Sequence, residues 1–426
     1  MSERRLLLVN KFYHDKGPAG GVGRYLVQEE EDLVNAGWDV VPFAMADTDA
    51  RPSRWSRFFV RARDYSAPRY SGGAVGDAIS LIWNREAANN LEALLKETRP
   101  TVAHLHNIYH HLSPSILPVL RRHGIPVVMT LHDLRLLCPA IHMLRNGEVC
   151  EKCRGGQLHK AVQYKCVKDS RAASLLAAVE TFHQRSRHLY EDTVDLFLCP
   201  SRFIRDKYIS WGYPADKLRH LPNFVDLDLW HPETLETSAD RDAYLFFGRI
   251  SAEKGLRTLL DAQSLWEKGF AAGEVDEPPL RLLFAGSGPC EVNVQARAAQ
   301  LELEKVEILG PLDQTGLRKA LGRSRFSVLP SEWYENGPMA ALEALASGLP
   351  MVGTDIGGIP EMIEDGVNGI VVPPRDPAGL LKGLIKASRL GPEAGEAARS
   401  WAQVHASRVD HMVKLQDILA EVAIPT

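Results

Sequence analysis

The chain has 426 residues and a formal net charge of −4, with 45% hydrophobic and 24% charged residues. This length predicts two globular domains rather than one, and the near-neutral charge excludes a general pull toward nucleic acid. No stretch of about 18 apolar residues occurs, which excludes an apolar helical membrane span.

Two arginines followed by Leu6-Leu7-Leu8-Val9 imitate the start of an export signal. The apolar run is short, and Lys11 and His14 follow it without a small-residue cleavage site, so a buried parallel strand over 6–9 is expected instead. A reducing, cytoplasmic setting is then expected, in which the six cysteines need not pair. Next comes Lys16-Gly17-Pro18-Ala19-Gly20-Gly21-Val22-Gly23-Arg24, where Gly20, Gly21 and Gly23 can expose amides to a phosphate or a sugar. A dinucleotide fingerprint would also want an acid about twenty residues on, and none is evident. A helix over 24–36 ends at Gly37, and a strand covers 39–42. The segment 51–63 holds five arginines with Trp55, Phe58 and Phe59; read as a helix, it has a solvated basic face and a core face.

A helix over 83–97 leads to a strand over 102–105, at whose end His106 and Asn107 are secondary site candidates. The strand 127–130 runs into Leu131-His132-Asp133. A lone histidine is more often structural than catalytic, but ligands of open α/β sheets bind at the carboxyl ends of strands, which shifts His132 toward a site residue. Cys138, Cys150, Cys153 and Cys166 follow with the spacing C-x11-C-x2-C-x12-C. Four thiolates so spaced can close a tetrahedral zinc site, with unpaired thiols or a disulfide as alternatives. The segment 138–170 is expected to be an insertion beside the acceptor. A fifth strand covers 196–199, and the proline- and aspartate-rich stretch 221–240 marks a linker.

The second half begins again, with strands over 244–247, 281–285, 306–309, 326–329, 350–354 and 369–373. Helices are expected over 256–268, 290–301, 315–322 and 339–347, and a last long one over 393–422. Alternating strands and helices in both halves argue for doubly wound α/β domains. The expected organisation is an N-terminal domain over 1–220, a linker over 221–240, a C-terminal domain over 241–395 and a C-terminal helix over 396–426.

Three strand ends in the second half carry chemistry. Phe247-Gly248-Arg249-Ile250-Ser251-Ala252-Glu253-Lys254-Gly255 brings two cations to a glycine turn. Phe284-Ala285-Gly286-Ser287-Gly288-Pro289 is a second glycine turn. In the third, Glu335 lies in a loop and Glu343 eight positions later in the following helix, which opens near Pro338. A helix start offers free amides to a phosphate, and carboxylates accept hydrogen bonds from sugar hydroxyls.

Together these loops resemble the retaining glycosyltransferases of family 4 (glycosyl transferases group 1), most densely over 244–372. The resemblance implies the GT-B fold, two Rossmann-like domains facing across a cleft, and transfer of a sugar from a UDP- or GDP-linked donor to an acceptor hydroxyl. It implies that Arg249 and Lys254 stabilise the leaving diphosphate, that Glu343 binds ribose hydroxyls and that Glu335 contacts the transferred sugar. By the same resemblance, Asn336, Gly337, Pro338 and Met339 would approach the donor, Gly248 and Gly286 would line it, and Leu309 would near the base. It also implies that Gly20, Gly21 and Gly23 face the diphosphate and that His132 lies beside the sugar. Where many relatives carry Phe-Gly or Tyr-Gly after the first glutamate, this chain has Asn336, with Trp333 and Tyr334 before it. No Asp-x-Asp clamp occurs near the donor residues, so no catalytic metal is expected. The implied acceptor is a glycan or lipid-linked glycan in polysaccharide or glycoconjugate biosynthesis, with no nucleic-acid partner and a peripheral contact at the inner membrane surface. Two other classes fit parts of the pattern. An NAD-dependent dehydrogenase leaves Glu335 and Glu343 unused, and a non-catalytic nucleotide-sugar-binding scaffold would share the same residues.

Overall fold

A computed structural model describes residues 4–14, 20–63, 73–235 and 241–423. By internal contacts the chain divides into two units, Met1–Met143 with Glu151–Leu221 and Met412–Thr426, and Leu144–Cys150 with Pro222–His411. The linker expected over 221–240 is largely built into the second unit, with Phe224, Val225, Trp230 and Leu235 all buried; residues 236–240 lie outside the described ones.

The first unit is a parallel sheet of six strands: β1 (Arg5–Val9), β2 (Asp39–Phe43), β3 (Val102–Leu105), β4 (Val127–Thr130), β5 (Leu196–Cys199) and β6 (Leu218–His220), in the order β6-β5-β4-β3-β1-β2. Strands buried on both faces read as continuous apolar runs, which is why β1, β3, β4 and β5 stand out in the sequence. Pro42 cannot donate a ladder hydrogen bond, and it sits in β2 at the sheet edge where this is tolerated. The helices that matter below are α1 (Gly20–Asn35), α2 (Gly73–Ile82), α3 (Arg85–Thr98) and α4 (Arg171–Ser186). Asn84 caps α3 by accepting from the amides of Glu86 and Ala87, and Ser170 caps α4 by accepting from Ala173.

The second unit has its own parallel sheet of six: β7 (Ala243–Phe247), β8 (Arg281–Ala285), β9 (Val306–Gly310), β10 (Ser324–Leu329), β11 (Met351–Thr354) and β12 (Gly369–Val372), ordered β9-β8-β7-β10-β11-β12. Its helices include α5 (Leu256–Ala271), α6 (Met339–Ala346) and α7 (Pro392–His405), and α8 (Arg408–Ala423) groups with the first unit from Met412 onward. Alternate side chains of β7 enter opposite layers. Leu245 and Phe247 pack with Leu342 of α6 and Ala398 of α7, while Tyr244 and Phe246 pack with Leu259 and Trp266 of α5.

Two expectations need correction. The arginine-rich segment is not a helix; it contains a single 3-10 turn, Ser56–Phe58, and a two-residue strand, Val60–Arg61. Its charges are paired within the first unit: Arg51 with Glu30 at 2.8 Å, Arg54 with Asp39 at 2.7 Å and Arg63 with Glu86 at 3.4 Å. The helical pattern over 393–422 is two helices, α7 and α8, because the chain leaves helical geometry at Ala406, whose carbonyl accepts from the Val225 amide at 2.9 Å.

Candidate functional site

In the second unit the three motif loops meet at the carboxyl edge of the sheet. A Cβ at Gly286 (φ +136°) would fall 1.9 Å from the Gly248 carbonyl oxygen, and one at Gly255 (φ +69°) 1.9 Å from that of Pro330. Glycine at these two positions is what lets the loops touch. Backbone bonds lock them: the Ile250 amide donates to Ser287 at 2.9 Å and the Glu332 amide to Glu253 at 2.8 Å.

This packing brings Lys254 onto Glu335. The ammonium donates to Glu335 Oε1 at 2.6 Å, and the Ser331 hydroxyl donates to the same oxygen at 2.5 Å. The two side chains retain 15% and 5% of their exposure, so the pair is largely dry. Lys254 also lies 5.6 Å from the centroid of Trp333. The neighbouring acid Glu332 is differently used, accepting from Thr258 at 2.5 Å and facing Arg375 at 3.3 Å. Glu343 is buried in α6, one helical turn past the helix start. Arg249 projects exposed from the β7 loop, and Asn336, Gly337, Pro338 and Met339 are half-buried ahead of and at the start of α6. The Gly337 carbonyl accepts from Asn223 at 2.8 Å. Leu309 and Met339 back onto the apolar layer beneath. The sequence reading assigned Lys254 and Glu335 to different parts of a ligand and missed that each is the other's partner; Ser331 it missed altogether.

The family models decide what this arrangement belongs to. The description Glycosyl transferases group 1 matches residues 231–403, and Glycosyltransferase Family 4 matches residues 19–229. The chain belongs to the group 1 glycosyltransferases. Among its relatives, the uncharacterized glycosyltransferase MJ1607 of Methanocaldococcus jannaschii is 30% identical over 198 residues, 43% of this chain and 48% of that one. Glycogen synthase of Mycobacterium tuberculosis is 28% identical over 200 residues, 46% of each. The amylovoran biosynthesis glycosyltransferase AmsK of Erwinia amylovora is 26% identical over 201 residues, 46% of this chain and 48% of that one. The chain thus spans about half the length of these curated relatives. The fold is GT-B. Sucrose-phosphate synthase from Thermosynechococcus elongatus matches 98% of this group 1 chain and 99% of its own with a TM-score of 0.69 and 18% identity. Anabaena Alr3699/HepE, solved in complex with UDP and glucose, matches 98% and 100% with a TM-score of 0.66 and 16% identity.

In the first unit of this group 1 glycosyltransferase, the carboxyl edge holds His132, His106 and Lys11. His106 Nδ1 lies 2.8 Å from His132 Nε2. Tyr25 of α1 meets the His132 ring edge-on, with centroids 5.5 Å apart. Burial lowers Lys11, partly offset by Asp133, and its ammonium sits 4.4 Å from the Tyr109 ring centroid. The Tyr109 hydroxyl in turn donates to Asp133. Asn107 donates its amide to the Asn10 side chain at 3.2 Å. Gly20, Gly21 and Gly23 form the first turn of α1, with Gly23 lining a narrow cavity with Asn10, Phe12 and His14; residues 15–19 of that motif lie outside the described ones.

Behind His106 lies a fully buried set that sequence reading missed. Glu29 of α1 and His104 of β3 meet at 2.6 Å, and His104 Nε2 lies 2.8 Å from the Thr130 hydroxyl. Ligating atoms of Glu29, His104 and His106 lie within 4.8 Å of one another. A tetrahedral metal separates its ligand atoms by about 3 Å or more, so the 2.6 Å contact is a hydrogen bond and leaves no place for an ion between them.

The cysteines occupy a segment with little core of its own. Cys138 and Cys153 are buried, Cys150 and Cys166 half-buried, and Cys153 and Cys166 share a small cluster with Leu158, Ala161 and Ala178. Residues 144–150 group with the second unit, where Glu148 faces Arg375 at 3.3 Å.

Proposed function

We propose that the chain is a retaining, metal-independent hexosyltransferase that moves a sugar from a UDP- or GDP-linked donor to a hydroxyl of a glycan or lipid-linked acceptor, in polysaccharide or glycoconjugate assembly. The observation that carries this reading is the dry Lys254–Glu335 pair at the meeting point of three strand-end loops. A buried cation paired to a carboxylate that also has a hydroxyl partner is pre-positioned without needing a ligand, and a pyrophosphate can take over the cation. HepE, solved with UDP and glucose, and AmsK, named for amylovoran biosynthesis, agree with a nucleotide-sugar donor and a polysaccharide product.

Lys254 and Arg249 neutralise the departing diphosphate, and the amides ahead of α6, around Asn336 and Met339, donate to its oxygens. Gly248 and Gly286 let the backbone approach it, Leu309 lies toward the base and Glu343 takes the ribose hydroxyls. Glu335 then accepts from hydroxyls of the transferred sugar. In the first unit, Gly20, Gly21 and Gly23 present amides, and neutral His132 accepts from a sugar hydroxyl. The anomeric C–O(phosphate) bond breaks as the acceptor oxygen bonds the same carbon on the same face. The acceptor proton passes to the leaving phosphate, so configuration is retained.

The support for a structural zinc is the C-x11-C-x2-C-x12-C spacing of Cys138, Cys150, Cys153 and Cys166, together with the sparse apolar cluster around Cys153 and Cys166, a setting in which a metal supplies folding energy. The peripheral membrane contact is supported by α4, an inverted helix. Ser174, Glu180, Thr181 and Gln184 are buried, while Leu175, Val179 and Phe182 are 53%, 43% and 64% exposed, with Arg171 and Arg187 nearby.

The test is a panel of UDP- and GDP-sugars, assayed for donor hydrolysis and transfer with and without chelator, with the product anomer read by NMR. Turnover that survives chelation and yields the donor's own anomeric configuration is expected. Tight donor binding with no turnover on any acceptor would replace this reading with a non-catalytic sugar-nucleotide module.

A further inference from the structure

The Glu29, His104, His106 and His132 side chains form a chain of polar groups running from the interior of α1 to the edge of the first sheet. His104 and His106 alternate along one strand direction, so both point to the same face of the sheet, toward α1. Glu29 Oε1 can only accept, so His104 Nδ1 carries the proton of their 2.6 Å bond. The other carboxylate oxygen, Oε2, faces His106 Nε2 at 3.6 Å, and among the described residues neither atom has a hydrogen-bond partner. Both residues are wholly buried, so bulk solvent does not screen the carboxylate from the ring.

We infer that Glu29 fixes the tautomer of His132 through His106: His106 turns its Nε2–H toward the carboxylate, its bare Nδ1 accepts from His132 Nε2–H, and His132 presents Nδ1 as an unprotonated acceptor. The opposite arrangement would put the His106 Nε2 lone pair against a buried anion, the costliest juxtaposition in a medium of low polarity. Burial alone would raise the Glu29 carboxyl, but the nearby His104 and His106 outweigh it and hold it well below the usual range. Burial, with His104, pushes His106 down to about 4, so its ring is neutral and must choose one tautomer. Tyr25, one turn before Glu29 on α1, has its hydroxyl raised by burial and then by that same carboxylate. Glu29 and His106 are positioning residues here. Their effect on turnover rests on the reading of His132 as a sugar-side group, whereas the tautomer itself does not.

The experiment uses the full chain with nitrogen-15 histidine at pH 7. Two-bond proton–nitrogen spectra distinguish the tautomers, and the His132 signals are assigned by their loss in His132→Asn. The wild type is expected to show His132 protonated on Nε2. In Glu29→Gln the amide oxygen keeps the acceptor role toward His104, so the amide N–H turns to His106 Nε2 and both rings reverse, leaving His132 protonated on Nδ1. Glu29→Asp, which keeps the charge, is expected to retain the native form. Turnover in Glu29→Gln should fall on the order of tenfold to a hundredfold in kcat, with KM for the donor little changed. Wild-type His132 protonated on Nδ1 would overturn the inference even if Glu29→Gln does not fold, as would a spectrum that Glu29→Gln leaves unchanged. Reversed rings with undiminished turnover would uphold the relay and overturn the role given to His132.

Discussion

Replacing Lys254 by methionine separates two roles that the structure assigns to one side chain. The ammonium is the ionic partner of a glutamate that retains 5% of its exposure, so Lys254→Met leaves Glu335 with the Ser331 hydroxyl as its remaining hydrogen bond of this cluster. Removing one member of a buried ion pair typically costs about 3–5 kcal/mol. The surviving Ser331 bond argues for the lower end. For a unit of this size, with roughly 2–4 °C of melting temperature per kcal/mol, the expected drop is about 6–12 °C. Glu335→Gln alone should cost less, because Lys254 keeps 15% of its exposure and can turn toward water. The double variant Lys254→Met/Glu335→Gln removes both charges and should recover most of the lost stability, since a neutral amide can still accept from Ser331. Transfer should not recover. Loss of a cation aimed at the leaving group costs on the order of 10²–10³ in kcat, and nothing in the double variant replaces it. Thermal melts of the four proteins, read beside donor turnover under saturating sugar nucleotide, complete the cycle. If the double variant melts at the sum of the two single losses, the pair is not coupled and the dry site is misread. If Lys254→Met turns over at the wild-type rate, the cation is not part of the reaction.

Acid should destabilise the chain in a defined window. Burial pushes His106, His111 and His220 each down to about 4 from an ordinary value of 6.5, and it also lowers His132. Below 6.5 the unfolded chain binds protons that the native one refuses, so stability is full above 6.5 and falls toward pH 4, by about 3 kcal/mol for fully buried His106 alone. Melting temperatures that stay level from pH 7.5 to 4.5 would contradict this. Chelator-free preparations should carry about one zinc per chain by elemental analysis. Cys153→Ser should lower that content and the melting temperature together, and metal-free wild-type protein would remove the site. Phe182→Asp should weaken sedimentation with anionic phospholipid vesicles severalfold and leave hydrolysis of a soluble donor intact; equal sedimentation would assign that face to something other than lipid.

What the sequence made legible followed from burial on two sides. Strands such as Val127–Thr130 and Ala243–Phe247 are buried at every position and mostly apolar because helices cover both faces of each sheet, and the loops after them carry the glycines and charges. The sixth strand of the first sheet, Leu218–His220, escaped notice because an edge strand of three residues, with an arginine and a histidine in it, has no such run. The arginines of 51–63 suggested an amphipathic helix because their acidic partners, Glu30, Asp39 and Glu86, come from distant parts of the chain. Helix α4 shows the same limit from the other side: its buried Glu180 is explained by Arg135, with His110 nearby, and folding brings both to it.

Glu29 is the sharpest case, and a clue to it was in plain view. In the stretch Arg24–Ala36 it looks like one of several acids, Glu29, Glu30 and Glu31, that a helix would turn to water. Yet the strand that pairs with β1 reads Val-Ala-His-Leu and continues into His106, placing two imidazoles two residues apart on one buried face. Buried imidazoles need partners, and helix α1, which follows β1, is the element that crosses that face and can supply one. Of the three acids, only Glu29 lies one helical turn from Tyr25, the aromatic that packs against His132 and His106. The pattern His-x-His at the end of an apolar strand, combined with a carboxylate four residues past an aromatic on the helix before it, therefore encodes the buried chain. Its meaning became readable only once the parallel pairing of β1 with β3 was known.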